Sequence, residues 1–311
     1  MQMKILGYAT RYLRNYPTIF ILTKHNMSIS RRAGHGYQAG LHWRNCAAPL
    51  SNPNTNFLIM SDPIYVAFAT QKGGVGKSTL TALVASYLHY VEGVEVAAVD
   101  CDSTQHSLNI YREHDLLVTK ENPYLKKILH KFYSQFQKKP YDILLTSPAD
   151  ALKVTEEYMQ EGNSPKVVFF DITGTINNHD IVNLIANMDY LFVPITTETG
   201  EMASSISFAN NVLNRMMTTG MTNIKEMHLV WNKIGSREKP RLCEVIDRYI
   251  EKLGLDSLNT VLVKSSKFEK DGRETGNTGL FRSTMLPPDK RLLKGSNLEE
   301  LVAEIRQTIK V

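Results

Sequence analysis

From Ile64 onward, short runs of apolar, β-branched and aromatic residues alternate with longer stretches whose apolar residues recur at three- and four-residue spacing. A run of four to seven such residues with no polar alternation suits a strand buried on both faces, and the longer spacing suits an amphipathic helix. The pattern predicts strands at Tyr65–Ala69, Glu95–Val99, Ile143–Thr146, Val167–Phe170, Tyr190–Pro194, Met227–Trp231 and Thr260–Val263. Between and after them it predicts helices at Ser78–Val91, Tyr124–Phe136, Ala151–Gln160, Asp180–Asn187, Met202–Met217, Pro240–Leu253 and Asn297–Ile309. Buried strands alternating with helices imply stacked βα units. The expected fold is therefore an α/β, doubly wound, mostly parallel sheet with helices on both faces.

The first 60 residues break the pattern. They contain seven Lys and Arg and no Asp or Glu, and end in the turn-rich Pro49-Leu50-Ser51-Asn52-Pro53-Asn54. The expected organisation is a leader over 1–60, not packed into the domain, and one domain over 61–311. An Arg-rich, acid-free leader superficially matches an organellar transit peptide. The simpler expectation is that Met60 is the start and the leader is translated upstream sequence.

Composition changes the picture in two places. The formal charge of +5 invites a nucleic-acid reading, but +7 of it lies in residues 1–60, leaving −2 for the body, so bulk charge is no evidence for a polyanion partner. Cys46, Cys101 and Cys243 are dispersed and odd in number, which suits reduced thiols in a cytosol and no metal site. Apolar runs such as Tyr190–Ile195 fall far short of the ~18 residues a membrane span needs, so no stable membrane insertion is expected.

The chemistry begins where the first strand ends. Gln71-Lys72-Gly73-Gly74-Val75-Gly76-Lys77-Ser78-Thr79 is a glycine-rich loop leading into a helix. Gly73, Gly74 and Gly76 let backbone N–H groups wrap a polyphosphate, Lys77 can reach its β and γ phosphates, and Ser78 can ligate Mg²⁺. The following helix aims its N-terminal dipole at the same anion. In open parallel sheets the ligand lies beyond the carboxyl ends of the strands, which singles out Asp100 and Asp102, Asp171, and Asn232. Asp171 closes the apolar run Lys166–Phe170 and can hold a Mg²⁺ water shell; Ile172-Thr173-Gly174-Thr175 would then read the γ-phosphate through mobile backbone.

The loop form K-G-G-x-G-K-[ST], with Gln71 in place of the usual first glycine and the extra Lys72, resembles the ParA/MinD family of deviant P-loop ATPases. The tracts Tyr65–Gly74, Val99–Ser107, Asp171 with Gly174-Thr175-Ile176-Asn177, and Phe281–Thr284 through Pro287–Arg291 look like the TraA group of that family, ParA-like ATPases of conjugative transposons. The resemblance covers residues 62–311. It implies ATP and Mg²⁺ as cofactors, slow hydrolysis, and an ATP-bound homodimer in which Lys72 reaches the partner's nucleotide. It also implies that Asp102 positions the hydrolytic water, Asp100 supports the Mg²⁺ shell, Asn232 contacts the adenine edge, and the Leu286–Lys290 loop with Pro288 closes over the base. Gln105 lies one residue further along than in chromosomal ParA, and the βα segment Tyr141–Gln160 is extra.

The resemblance further implies partition or conjugative transfer of mobile DNA, a small activating partner protein, nonspecific DNA as partner, and a cytoplasmic, nucleoid-associated location. Residues 264–294 supply a candidate DNA face: Lys264, Lys267, Lys270, Arg273, Arg282, Lys290, Arg291 and Lys294 stand against four acids, a charge of +4. A solvated basic face is the competing account. A MinD-like membrane-associated positioning ATPase is the alternative within the family, but the last helix carries Glu299, Glu300 and Glu304, which an anionic leaflet would repel, so it is expected to pack on the core. A dethiobiotin-synthetase-like metabolic enzyme, and a nucleotide-binding protein without turnover, remain as readings of a different class. Cys101, Cys243 and Trp231 are read as buried packing, and His106 as a capping or surface residue.

Overall fold

A computed structural model of the chain describes residues 62–102, 105–136, 139–172, 178–235, 239–270 and 280–311. The chain divides into the units Met1–Ile59 and Met60–Val311; the expectation for the leader lies outside the described residues.

Seven strands form one sheet: β1 (Ile64–Phe68), β2 (Val96–Asp100), β3 (Asp142–Leu145), β4 (Val167–Asp171), β5 (Tyr190–Ile195), β6 (Glu226–Trp231) and β7 (Asp256–Ser257). Their spatial order is β3-β2-β4-β1-β5-β6-β7 and every pairing is parallel. The chain winds outward from β1 to β2 and β3, returns to insert β4 between β2 and β1, and then builds β5 to β7 on the other side. That reversal around β1 is the switch point where such sheets open a ligand crevice.

The helices are α1 (Lys77–Tyr90), α2 (Ser107–Glu121), α3 (Pro123–Phe136), α4 (Ala151–Gln160), α5 (His179–Ala186), α6 (Thr199–Val212, continued by a π turn at Leu213–Met217), α7 (Lys239–Lys252), α8 (Lys290–Leu293) and α9 (Leu298–Ile309). Period-2 geometry sorts β1 between two cores. Val66 and Phe68 pack with α1 and α9, whereas Ala67 and Ala69 pack with α5, α6 and α7. The last helix buries Leu298, Leu301, Val302, Ile305 and Ile309 in the first of these cores, as its pattern predicts. Each such side chain contributes about 1.5–3 kcal/mol when fully buried.

Two elements depart from the sequence reading. The predicted strand Thr260–Val263 is not a strand of the sheet; the ladder ends at Ser257, and only Val263 bridges Ile234. Glu304 on α9 interrupts it, because its carboxylate accepts the backbone N–H of Thr260 (2.8 Å), the alternate position between Leu258 and Leu262 that a ladder to β6 would use, along with that of Asn259 (2.7 Å). The second departure is α2, which no periodicity predicted. Its buried positions are Leu108, Asp115 and Thr119, two of them polar, while Ile110, Leu116 and Leu117 are 50–57% exposed.

The extra segment Tyr141–Gln160 forms the edge strand β3 and helix α4.

Candidate functional site

Parallel pairing places Phe68, Asp171 and Asp100 side by side at the carboxyl ends of β1, β4 and β2. Beyond them lies a pocket of about 440 Å³. Its lining joins the loop residues Gln71, Gly73, Gly74, Gly76, Lys77, Ser78 and Thr79 to Asp102, Gln105, Ser107, Tyr111, Asp171, Ile172 and Lys233. The glycine-rich loop and the side chains of Asp102 and Asp171 thus line one cavity beyond the strand ends.

The loop conformation explains its glycines. Gly74 and Gly76 have φ of +83° and +99°, left-handed values that an L side chain resists. A Cβ at Gly76 would lie 2.6 Å from Asn232 Nδ2. At Gly73 a Cβ would meet no atom of the described residues within 4 Å. Gly76 occupies the cap position of α1 without a side-chain bond, no acid lies in the first turn, and the first helical bond runs from Leu80 N–H to Gly76 O. The N–H groups of Lys77, Ser78 and Thr79 therefore precede the helical ladder and carry the positive end of the dipole at the pocket.

Lys77 is buried, and its ammonium donates to the Lys72 carbonyl (3.2 Å). Burial pushes its pKa down, opposed by the charges of Asp171 and Asp102. Asp171 is 1% exposed, and burial raises its carboxyl to about 7. Asp100 and Asp102 add to that rise, while the Ser78 hydroxyl and Lys77 act against it. Among the described residues, the buried Asp171 Oδ2 has no hydrogen-bond partner. A buried carboxylate oxygen without a donor costs free energy unless a cation or proton meets it. With the Ser78 hydroxyl it forms a hard-oxygen pair of the kind Mg²⁺ takes alongside phosphate oxygens. Among the described residues no three His, Cys, Asp or Glu side chains group as a metal cage, so the nucleotide would have to supply ligands.

Asp100 is fully buried and accepts three backbone N–H groups: Leu108 (2.9 Å) and Asn109 (3.1 Å) on Oδ2, and Asp102 (3.3 Å) on Oδ1. Its geometry is that of a cap on the N-terminus of α2, reached from eight residues upstream. Asp102 is half-buried; its side chain accepts the Gln105 N–H (3.2 Å), and its carbonyl accepts the N–H groups of Gln105 and His106. His106, the cap residue of α2, has φ of 44°, and its Nδ1 lies 3.8 Å from Asp100 Oδ1.

Other expected site residues sit elsewhere. Asn232 is buried beneath the loop, donating from Nδ2 to Val75 O (2.8 Å) and accepting the Lys233 N–H (2.9 Å), and it does not line the pocket. Pro288 is also buried and outside the pocket lining; its neighbour Leu286 packs with Leu125 of α3, and Asp289 N–H bonds Leu280 O. Lys72 lies outside the pocket lining, its ammonium 3.8 Å from Glu198 at the start of α6, where both side chains are about half exposed. Residues 173–177 of the second switch lie outside the described residues. Sequence reasoning missed Lys233, which lines the pocket and bonds Gly74 O, and Glu198; a positive φ at Lys233 and the acid at the head of α6 carry no sequence signal. Cys101, Cys243 and Trp231 are buried as expected, with Trp231 Nε1 donating to Asp247.

The CbiA family, described as the CobQ/CobB/MinD/ParA nucleotide binding domain, matches residues 66–275. No curated protein matches the chain. Among solved structures, a putative plasmid partition protein from Borrelia burgdorferi bound to AMPPNP superposes with a TM-score of 0.53 at 18% identity, covering 79% of this chain and 100% of that one. The MinC:MinD cell division protein complex of Aquifex aeolicus gives 0.51 at 14% identity over 79% and 96%. A complex of a Cyanothece McdA variant with ATP gives 0.51 at 10% identity over 80% and 97%. At these identities the likeness is one of fold.

Proposed function

The chain belongs to the CobQ/CobB/MinD/ParA nucleotide binding domain family, and from that premise we propose that it binds ATP with Mg²⁺, hydrolyses it slowly, and uses the ATP-bound state as a dimerisation switch. The observation that carries the reading is the meeting of three features in one pocket: the uncapped N-terminus of α1, the buried ammonium of Lys77, and the unpartnered buried oxygen of Asp171. Two suit a polyphosphate and the third suits its counter-cation.

In this reading the backbone from Gly73 to Thr79, Val75 included, cradles the phosphates and Lys77 neutralises the β,γ end. Ser78 and Asp171 hold Mg²⁺, which when bound would offset charge developing on the transferred phosphoryl group. Asp102 orients the attacking water. The Mg²⁺-shell role expected of Asp100 is not carried forward, since its oxygens hold the head of α2 and the Asp102 N–H and it lies outside the pocket lining; it keeps Asp102 in place instead. The base-contacting roles expected of Asn232 and Pro288 are not carried forward, since one side chain holds the loop and the other lies outside the pocket lining.

Lys72 is proposed to act across the dimer. Its present partner is the exposed carboxylate of Glu198, 3.8 Å away and screened by solvent, so leaving it costs little. Light scattering on the hydrolysis-deficient Asp102→Ala protein is expected to show doubled mass with ATP and monomer mass with ADP. Adding Lys72→Ala is expected to restore the monomer. Equal monomer mass in every nucleotide state removes the switch.

For partner, a DNA-bound role in partition or conjugative transfer is favoured over membrane attachment. The apolar face of α9 is buried in the core, and among the described residues no helix is long and apolar enough to cross a membrane. The basic tract is thinner than its composition suggests: Arg291 pairs with Asp289 (2.6 Å), Lys267 donates to Lys294 O (2.6 Å), Arg282 stacks on Tyr111, and Arg273 lies outside the described residues. Lys264, Lys290 and Lys294 are exposed. Reversing these three to Glu is expected to abolish ATP-dependent DNA binding in a filter or anisotropy assay at low salt. Each lost contact should reduce the slope of log affinity against log salt by roughly 0.9. Unchanged binding excludes this tract as the DNA face.

A further inference from the structure

One wall of the pocket has no part in the reading above. Tyr111, one turn into α2, lines the cavity with its hydroxyl 3.4 Å from Thr79 Oγ1 in the first turn of α1. The guanidinium carbon of Arg282 lies 4.1 Å from the centroid of its ring. This stack is built on buried supports. Asp115, one turn further along α2, accepts both the N–H (2.6 Å) and the hydroxyl (2.7 Å) of Thr284. Arg112 donates to Thr284 Oγ1 (2.9 Å), to Thr284 O (3.1 Å) and to Tyr141 O (2.8 Å). Asp115, Ser283 and Thr284 are at most 2% exposed. The backbone carrying Arg282 is thereby bolted to α2, at a level where its planar side chain covers the Tyr111 ring.

We infer that the Tyr111 hydroxyl contacts the α-phosphate of the bound nucleotide and that Arg282 is a positioning residue holding the phenol against Thr79. The inference rests on the pocket being a nucleotide site. In a loop of this form Lys77 reaches the β and γ phosphates and the backbone cradles α and β. Thr79, two residues past Lys77 and on the opposite side of Ser78, marks the end nearer the nucleoside. A hydroxyl–hydroxyl bond of 3.4 Å is at the long limit, and a phosphate oxygen offered to the same O–H gives a charge-assisted bond of about twice the strength. The guanidinium fixes the ring through its flat face, a geometry an ammonium does not reproduce, and adds positive charge to the wall.

The test is isothermal titration of the full chain with ADP and with AMPPNP, alongside steady-state hydrolysis. Tyr111→Phe removes only the hydroxyl from a half-buried ring and is expected to weaken both nucleotides about tenfold and equally. KM should rise while kcat at saturation stays within about twofold, and the thermal midpoint should not move. Arg282→Gln is expected to weaken both about threefold, and Arg282→Lys not to restore binding. Affinities of Tyr111→Phe within about twofold of the parent, with Lys77→Ala silent, overturn the contact and leave the nucleotide site standing. A loss confined to AMPPNP puts the hydroxyl at the γ end and likewise overturns it. Binding by Lys77→Ala at parental affinity fails the pocket reading itself.

Discussion

Lys77→Ala is expected to bind ATP at least about 100-fold more weakly than the parent and to show no measurable hydrolysis. The pocket carries two carboxylates, Asp102 and Asp171, and the ammonium of Lys77 is the buried cation set against them. Without it a polyphosphate meets like charge in a partly water-excluded cavity, where electrostatic terms exceed their value in water. The variant should fold, because burial already penalises the Lys77 charge and, among the described residues, the side chain donates only to Lys72 O. Circular dichroism and the thermal midpoint check that point, and titration with a non-hydrolysable nucleotide checks the binding. Asp102→Ala should separate the two effects, retaining affinity while hydrolysis falls by about 10²–10³. Parental turnover in Asp102→Ala would overturn the water-positioning role of Asp102 and turn attention to other groups of the lining, such as Gln105.

The phosphate loop, the central strands and α9 were legible because their signals are local. A glycine-rich loop between a buried strand and a helix has one geometry available to it, and an apolar stripe of five residues on α9 has one place to go. What was hidden is set by partners distant in sequence. Helix α2 is invisible to hydrophobic periodicity because beyond Leu108 its buried stripe is polar: Asp115 and Thr119 face inward to meet Thr284 and their own helix, while Leu116 and Leu117 face out. Its cap, Asp100, comes from the end of β2, outside any local capping pattern. Thr260–Val263 reads as a strand until Glu304 takes the Thr260 amide that would face β6. The basic tract illustrates the limit of counting charge, since Arg282 and Arg291 are engaged by a ring and a carboxylate within the fold. Asn232 lies at the end of β6 as its motif predicts, where its amide donates to Val75 O of the glycine-rich loop, and Pro288 lies outside the pocket lining, so the pocket walls by themselves support neither base contact.

In the absence of nucleotide and divalent metal, Asp171→Asn is expected to be more stable than the parent at pH 8, and the advantage to shrink toward pH 5. Asp171 titrates near 3.8 when unfolded and at about 7 when folded, chiefly because burial disfavours its charge. The folded state therefore binds the proton more tightly. Below the unfolded pKa both states are protonated and nothing is lost. As pH rises from about 4 to 7 the unfolded chain ionises first and stability falls. Above pH 7 the full cost, about 4 kcal/mol for three units, is present. Asparagine removes that cost but brings an amide that must find its own acceptor, so a net gain of about 2 kcal/mol is expected, or roughly 4–8 °C in thermal midpoint for a domain of this size. Asp115, raised to about 6 by its own burial, adds a slope of the same sign, but it is present in both proteins and cancels in the difference. The same substitution should abolish the stabilisation expected of the parent with ATP and Mg²⁺, because the carboxylate oxygen proposed to meet the cation is gone. A variant less stable than the parent at pH 8 would mean that Asp171 Oδ2 is satisfied in the nucleotide-free protein, and would remove the structural basis for assigning it to the metal.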